Sequence, residues 1–488
     1  MTEILFRPMH EIKDLLARKE VSSVELTQAC LHRVKKLEPQ LNAFITVTQE
    51  SALSKAKEVD ARRNQKELLP PLAGIPVALK DNFVTKGIPT TCASKILGKF
   101  CSPYDGAATK KILEQETILI GKTNMDEFAM GSSNENSHYG PVRNPWDLER
   151  IPGGSSGGSA TAVASGEVFA ATGTDTGGSV RQPAALTGVV GLKPSYGRIS
   201  RYGIVAFASS LDQVGMLTRD VHDTALMMNA LAGFDPLDTT SAQVDVPDYT
   251  KSLSSSLKGV SIGVAEEYFG EGIQPKVRDA VLKAIDEIKK LGGEVREISL
   301  PHLRYAIPTY YLVCTAEASS NLARYDGVRY GYRSEGARTL EELYKKSRGE
   351  GFGREVKRRI MLGTFALCTG YYDAYFKKAA QVRTLITEDF RNAFQQVDVI
   401  VTPTSPSTAF KVGEKISDPL GMYLSDIYTI SVNLAGLPGM SLPCGFVDGL
   451  PIGLQLIGGY MQEPKLIKVG SAYQSVTDWH NKHPSIKE

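Results

Sequence analysis

Apolar positions along this chain recur at two periods, which together predict helices alternating with short buried strands. Leu26, Cys30, Val34 and Leu37 follow Ser22-Ser23-Val24-Glu25 at helical spacing. That tetrapeptide is a capping box, so a helix is predicted over about 22–38. Ile75-Pro76-Val77-Ala78-Leu79 reads as a buried strand ending at Lys80, with Pro76 pointing to an edge strand or a strand start. A helical pattern near 105–116 runs into a second strand at 117–121, and Val168-Phe169-Ala170-Ala171-Thr172 is a third. Between them, residues 131–158 are rich in Gly, Ser, Asn and Pro and predict a long irregular loop, of a length usually tied to function.

Further along, 257–300 reads as strand, helix and strand, with Val277, Val281, Ile285, Ile288 and Leu291 as the helix stripe. Residues 305–390 read mostly as helix, strands return at 397–401, 439–442 and 451–457, and a helix over about 463–476 closes the pattern. This alternation predicts an α/β fold, a sheet with helices on both faces, in one large domain over 1–488.

Composition narrows the function classes. Of 488 residues, 42% are hydrophobic and 23% charged, and the formal charge is +2 with Lys and Arg scattered, so this chain is not expected to be a main nucleic-acid binder. Cys30, Cys92, Cys101, Cys314, Cys368 and Cys444 are isolated, which predicts reduced thiols and no metal site. The N-terminal stretch carries early acids and lacks secretory or transit patterns, and no apolar run is long enough to span a membrane. A cytoplasmic protein is expected.

Two Ser/Gly stretches remain to be explained, Gly153-Gly154-Ser155-Ser156-Gly157-Gly158-Ser159 and Gly173-Thr174-Asp175-Thr176-Gly177-Gly178-Ser179. A phosphate-binding P-loop needs GxxxxGK[ST]; Gly121-Lys122-Thr123 supplies the end, but position 116 is Glu. The hydrolase elbow GxSxG matches 153–157, yet the residues before it, Asn144 to Pro152, cannot form its central strand, and His302, His480 and His483 are poorly placed for a triad. A flexible linker fits badly with the small-residue run Ala160–Ala164, which can pack closely as a helix. The second stretch follows a strand and opens onto a helix start near Val180. Its glycines let several backbone N–H groups aim at one point beside Ser179, an oxyanion hole next to a hydroxyl nucleophile. The proton acceptor is then not histidine. A lysine serves where burial keeps it neutral, and Lys80 ends an apolar strand.

Lys80-Asp81-Asn82 and the two Ser/Gly stretches, in this order and spacing, resemble the amidase signature family, with its signature core over about 70–220 here. The resemblance implies a mixed sheet and a Ser-Ser-Lys catalytic set: Ser179 as nucleophile, Ser155 as the bridging serine after a cis peptide from Gly154, and Lys80 as base. It implies an oxyanion hole from the N–H groups of Thr176, Gly177, Gly178 and Ser179. Within the family, Met125 to Ser137, Tyr139-Gly140-Pro141 and Ala316 to Leu322 are similar to the bacterial glutaminase subunits of glutamyl-tRNA(Gln)/aspartyl-tRNA(Asn) amidotransferases. That similarity implies glutamine as substrate, with Arg359, Asp426 and Tyr310 (Tyr311 adjacent) in its pocket. It also implies a heterotrimer with B and C subunits, in which ATP, magnesium and aminoacyl-tRNA are handled mainly by the former. A free-standing amidase acting on another small amide and a non-catalytic relative are the competing readings.

Overall fold

Eleven strands pair into one mixed sheet: β1 Phe44–Val47, β2 Pro76–Lys80, β3 Ile118–Thr123, β4 Ala170–Asp175, β5 Val190–Lys193, β6 Gln213–Thr218, β7 Ser261–Ala265, β8 Glu294–Ile298, β9 Val399–Pro403, β10 Gly439–Val447 and β11 Leu450–Gly458. The computed structural model describes residues 2–270 and 272–486. Strand order is β1-β3-β2-β4-β6-β5-β10-β11-β9-β7-β8. β2 runs parallel to both β3 and β4, β7 runs parallel to β8 and β9, and the remaining pairs are antiparallel.

Every residue of β2, β3, β4, β6, β9 and β11 is buried, as strands are when helices cover both faces. The edge strand β8 instead carries Glu294, Arg296 and Glu297, charges that discourage pairing with another chain. β10 and β11 form a hairpin through Asp448-Gly449, both at positive φ (51° and 80°), the conformation that suits a two-residue turn between twisted strands.

Local signals place most elements within a few residues. The capping box is made in full: the Glu25 N–H donates to Ser22 Oγ at 3.1 Å and the Ser22 N–H donates to Glu25 Oε2 at 2.8 Å, opening the helix Ser23–Leu41. Residues 305–390 hold the helices Ala306–Asn321, Leu340–Gly351, Arg354–Leu367 and Lys378–Ala393. Of the two placements Pro76 predicts, the strand start is the one found: β2 begins at Pro76 and sits inside the sheet between β3 and β4. Proline is tolerated there as the first strand residue, where its missing N–H interrupts no ladder further in. β1, β5 and β6 carry no clear period in the sequence and emerge only in the fold.

The first helix, Met9–Ala17, lacks a side-chain cap of its own. Asp223, fully buried on the helix Val221–Leu231, supplies it: the Met9 and His10 N–H groups donate to its two oxygens at 2.6 and 2.8 Å. His10 Nδ1 lies 3.0 Å from the same carboxylate, and Asp220 is the third member of this cluster. The six cysteines are free, four of them buried. No described helix is long and apolar enough to cross a membrane.

Candidate active site

Parallel pairing of β2 and β4 sets their C-terminal ends side by side, and the candidate site is built there. Lys80 closes β2 and is completely buried. Its Nζ lies 2.8 Å from Ser155 Oγ, 2.8 Å from Ser156 Oγ, 2.9 Å from Thr174 Oγ1 and 3.4 Å from the Thr174 carbonyl. Burial pulls the Lys80 pKa down to about 7, against the opposing pull of Asp126, Asp175 and Asp212.

The hydroxyls around the amine are not equivalent. Ser156 Oγ donates to the Thr174 carbonyl at 3.2 Å, and Thr174 Oγ1 accepts from Asn82 Nδ2 at 3.0 Å. Ser155 Oγ has no hydrogen-bond partner among the described residues other than Lys80. Ser155 is therefore the hydroxyl whose proton is not committed to another acceptor around Lys80.

Ser155 follows a cis peptide from Gly154 and is fully buried. Asp126 ties this loop to the 134–136 segment: its N–H donates to the Ser155 carbonyl at 3.2 Å, and its carboxylate accepts the N–H groups of Asn134 and Asn136 at 2.9 and 3.2 Å. A Cβ on Gly154 would meet Asp126 Oδ2 at 2.1 Å, so only glycine allows this approach. The helix Gly157–Ala164 then begins within the glycines themselves.

Ser179 lies on the turn between β4 and the helix Arg181–Thr187 and is 8% exposed, where Lys80 and Ser155 are 0% exposed. Of the three it is the one a substrate can reach. Its hydroxyl makes no hydrogen bond to Ser155 Oγ among the described residues. The two loops are tied instead by their backbones, the Ser156 N–H donating to the Ser179 carbonyl at 3.1 Å.

The turn itself is pinned by Asp175 and Arg181, both fully buried. Asp175 accepts from the N–H groups of Gly178 (2.8 Å) and Val180 (3.1 Å), from Arg181 Nε and Nη2 (3.1 and 3.0 Å), and from Asn433 Nδ2 (2.9 Å). Burial works against ionisation here, but the Arg181 guanidinium and these donors hold the carboxyl well below the usual carboxylate range. Arg181 Nη1 also donates to Gln455 Oε1 at 2.7 Å and to the Thr429 carbonyl at 3.1 Å.

This network corrects one expectation. The Gly178 N–H is committed to Asp175 and is not available to an oxyanion, whereas the Thr176, Gly177 and Ser179 N–H groups have no acceptor among the described residues. Asp212 steadies the near side of the turn, accepting from Thr176 Oγ1 at 2.7 Å and from the N–H groups of Phe207 and Ala208.

Facing the turn is a wall built from the helices Ala306–Asn321 and Arg354–Leu367 and the segment around 423–429. Tyr310 packs its ring on Gly177, so closely that a Cβ there would lie 2.6 Å from Cζ. Tyr311 belongs to the next layer out, stacked on Tyr423 at 4.0 Å. The Arg359 guanidinium sits 5.4–5.7 Å from the rings of Phe207, Tyr311 and Tyr423 and donates through Nε to Glu355 Oε1 at 2.9 Å.

Asp426 is buried. Ser132 Oγ donates to its Oδ2, while its Oδ1 has no partner among the described residues. Burial pushes this carboxyl up to about 7, with Ser132 and Arg359 pulling the other way. A cavity of about 90 Å³ lined by Gly131, Ser133, Glu355, Arg359, Lys415 and Tyr423 opens beside this wall; Ser179 is not part of its lining.

An arginine in an aromatic box and a carboxylate with an unmet valence suit a ligand carrying both an anionic and a cationic group. Ser156, Thr174, Asp175, Arg181 and Glu355 escape a reading by residue type. Thr174 and Asp175 lie inside the quoted Ser/Gly stretch, but Asn433, which donates to Asp175, stands 258 positions away from it.

The amidase family profile matches residues 25–467. The chain is 57% identical over 477 residues to the A subunit of the glutamyl-tRNA(Gln) amidotransferase of Heliobacterium modesticaldum, covering 98% of each chain. It is 56% identical over 484 residues to the corresponding protein of Moorella thermoacetica, covering 99% of each. The crystal structure of the A subunit from Thermotoga maritima superposes with a TM-score of 0.80 at 43% identity, over 96% of this chain and 95% of that one. A 6-aminohexanoate cyclic dimer hydrolase gives 0.85 at 25% identity, over 98% and 99%.

Proposed function

The chain belongs to the amidase family, and from that premise we propose that it is the glutamine-hydrolysing subunit of a tRNA-dependent amidotransferase. The observation that carries the substrate is the pairing of boxed Arg359 with half-satisfied Asp426 on the wall facing Ser179. Free glutamine brings a carboxylate to the first and an ammonium to the second, and its side-chain amide then reaches toward the turn, with Tyr310 over Gly177. Likeness along nearly the whole chain to the A subunits of glutamyl-tRNA(Gln) amidotransferases supports the same reading.

In the proposed reaction, neutral Lys80 takes the proton of Ser155 while Ser155 takes that of Ser179, and Ser179 Oγ attacks the amide carbon. The oxyanion is received by the N–H groups of Thr176, Gly177 and Ser179. The proton returns through Ser155 to the departing nitrogen, ammonia leaves, and a γ-glutamyl ester remains on Ser179. Water attacks that ester by the same proton route and releases glutamate. The ammonia serves a partner B subunit, which would hold ATP and magnesium and activate Glu-tRNA(Gln) or Asp-tRNA(Asn), with a C subunit completing the assembly. The proposed compartment is the bacterial cytoplasm.

The test is capture of the acyl-enzyme. Glutamine with hydroxylamine should yield γ-glutamyl hydroxamate with the wild-type chain and its co-purified partners, and none with Ser179→Ala. Strong turnover of an unrelated amide with glutamine inert would instead favour a free-standing amidase. Wild-type rates in Ser179→Ala would end the Ser-Ser-Lys reading.

A further inference from the structure

Arg359 does not orient itself. The arginine has five N–H donors, and one of them, Nε, is given to Glu355 Oε1 at 2.9 Å. Glu355 lies one helical turn earlier on Arg354–Leu367, is 8% exposed, and lines the cavity beside Arg359. Two further donors converge on it: Tyr423 Oη on the same Oε1 at 3.1 Å, and Arg358 Nη1 on Oε2 at 2.6 Å.

Three aromatic rings surround the guanidinium, and neither Nη1 nor Nη2 has an acceptor among the described residues. A carboxylate can grip a guanidinium side-on, through Nε and one Nη, or end-on, through both Nη groups. With Nε occupied, only the end-on approach remains.

We propose that Glu355 is a positioning residue for substrate recognition: by occupying Arg359 Nε and anchoring Tyr423, it fixes the end-on fork that selects amides bearing an α-carboxylate. The proposal rests on the reading of Arg359 as the carboxylate anchor. Glu355 touches no substrate atom in this scheme; it acts through Arg359, and its contribution lies in specificity.

The experiment compares hydroxamate formation from glutamine with that from 4-aminobutanamide, which is glutamine without its α-carboxylate, using the full chain with its co-purified partners. In Glu355→Gln the side-chain amide offers one acceptor oxygen to three donors. The ratio of kcat/KM for glutamine to that for 4-aminobutanamide should fall about tenfold, chiefly through KM for glutamine, with kcat for glutamine within about twofold of wild type. Tyr423→Phe, which keeps the ring and removes one donor, should lower the ratio about threefold and serves if Glu355→Gln folds poorly. Arg359→Lys should lower it about a hundredfold.

An unchanged ratio in Glu355→Gln and Tyr423→Phe, beside a collapsed ratio in Arg359→Lys, would overturn the proposal while sparing the anchor reading. So would equal losses on both substrates in Glu355→Gln, the signature of damaged helix packing. An unchanged ratio in Arg359→Lys would remove the anchor reading, and the proposal with it.

Discussion

The turn that carries Ser179 and the helical wall that faces it are built on opposite terms. At the turn, Asp175 and Arg181 are buried completely and satisfied by backbone and side-chain partners from β4, β11 and the 429–433 segment. Asp175 meets five donor groups at 3.1 Å or less, so the backbone has little freedom to move. On the wall, Asp426 Oδ1 and the terminal nitrogens of Arg359 are left without partners among the described residues. A nucleophile and its N–H donors must be in place before charge develops, which rewards an over-determined scaffold. A recognition surface must keep valences open for its ligand, and accepts unmet buried groups in exchange.

The sharpest way to break this contrast is to remove chemistry without touching the wall. Ser179→Ala should lower glutamine turnover by at least about 10³-fold in steady-state assays, while equilibrium binding of glutamine changes little. Asp175→Asn attacks the scaffold itself. It leaves Arg181 buried without its counter-ion and should destabilise the chain by about 3–5 kcal/mol in urea unfolding, with activity falling alongside.

Asp426→Asn separates the halves. The glutamine KM should rise about tenfold to a hundredfold with a smaller change in kcat, as expected for one charge-assisted contact. Its pH profile sharpens the point. As the proposed base, Lys80, held at about 7 by burial, acts only when deprotonated, and as the proposed ammonium site, Asp426, raised to about 7, acts only when ionised, so both proposed functions are lost as pH falls. Below neutrality, log kcat/KM should climb with a slope of about two in wild type and about one in Asp426→Asn. The smallest effect belongs to Ser156→Ala, which removes two hydrogen bonds, one from Lys80 and one to the Thr174 carbonyl, and leaves the proposed proton path through Ser155 intact. A loss in kcat of about fivefold is expected in the same assay.

The sequence discloses these two regions unequally. Lys80 at a strand end, the Ser/Gly stretches and the strand before the second of them are local patterns, and local periodicity reads them well. The fate of the Gly178 N–H is hidden, because it depends on Asp175 turning back onto its own loop while Arg181 clamps it from the far side. On the wall, no spacing rule links Arg359 to Phe207 or Asp426 to Ser132, which meet only through the fold. Glu355 stands one turn from Arg359 and lies within reach of an i,i+4 argument. Its cationic neighbours at 357–359 make it look like part of a solvated face. The interior position of β2 is obscured by proline, whose bias against central strands gives way at a first residue.

The cap that Asp223 places on the helix Met9–Ala17 has a practical bearing on handling this protein. The donors it accepts belong to residues 214 and 213 positions away in the chain, so the leading helix is no detachable handle. Trimming through residue 10 would strand a sequestered carboxyl group and loosen Val221–Leu231 beneath it, and Leu5 and Phe6 just ahead of it are themselves packed into the fold; affinity tags are added to these residues, never swapped for them.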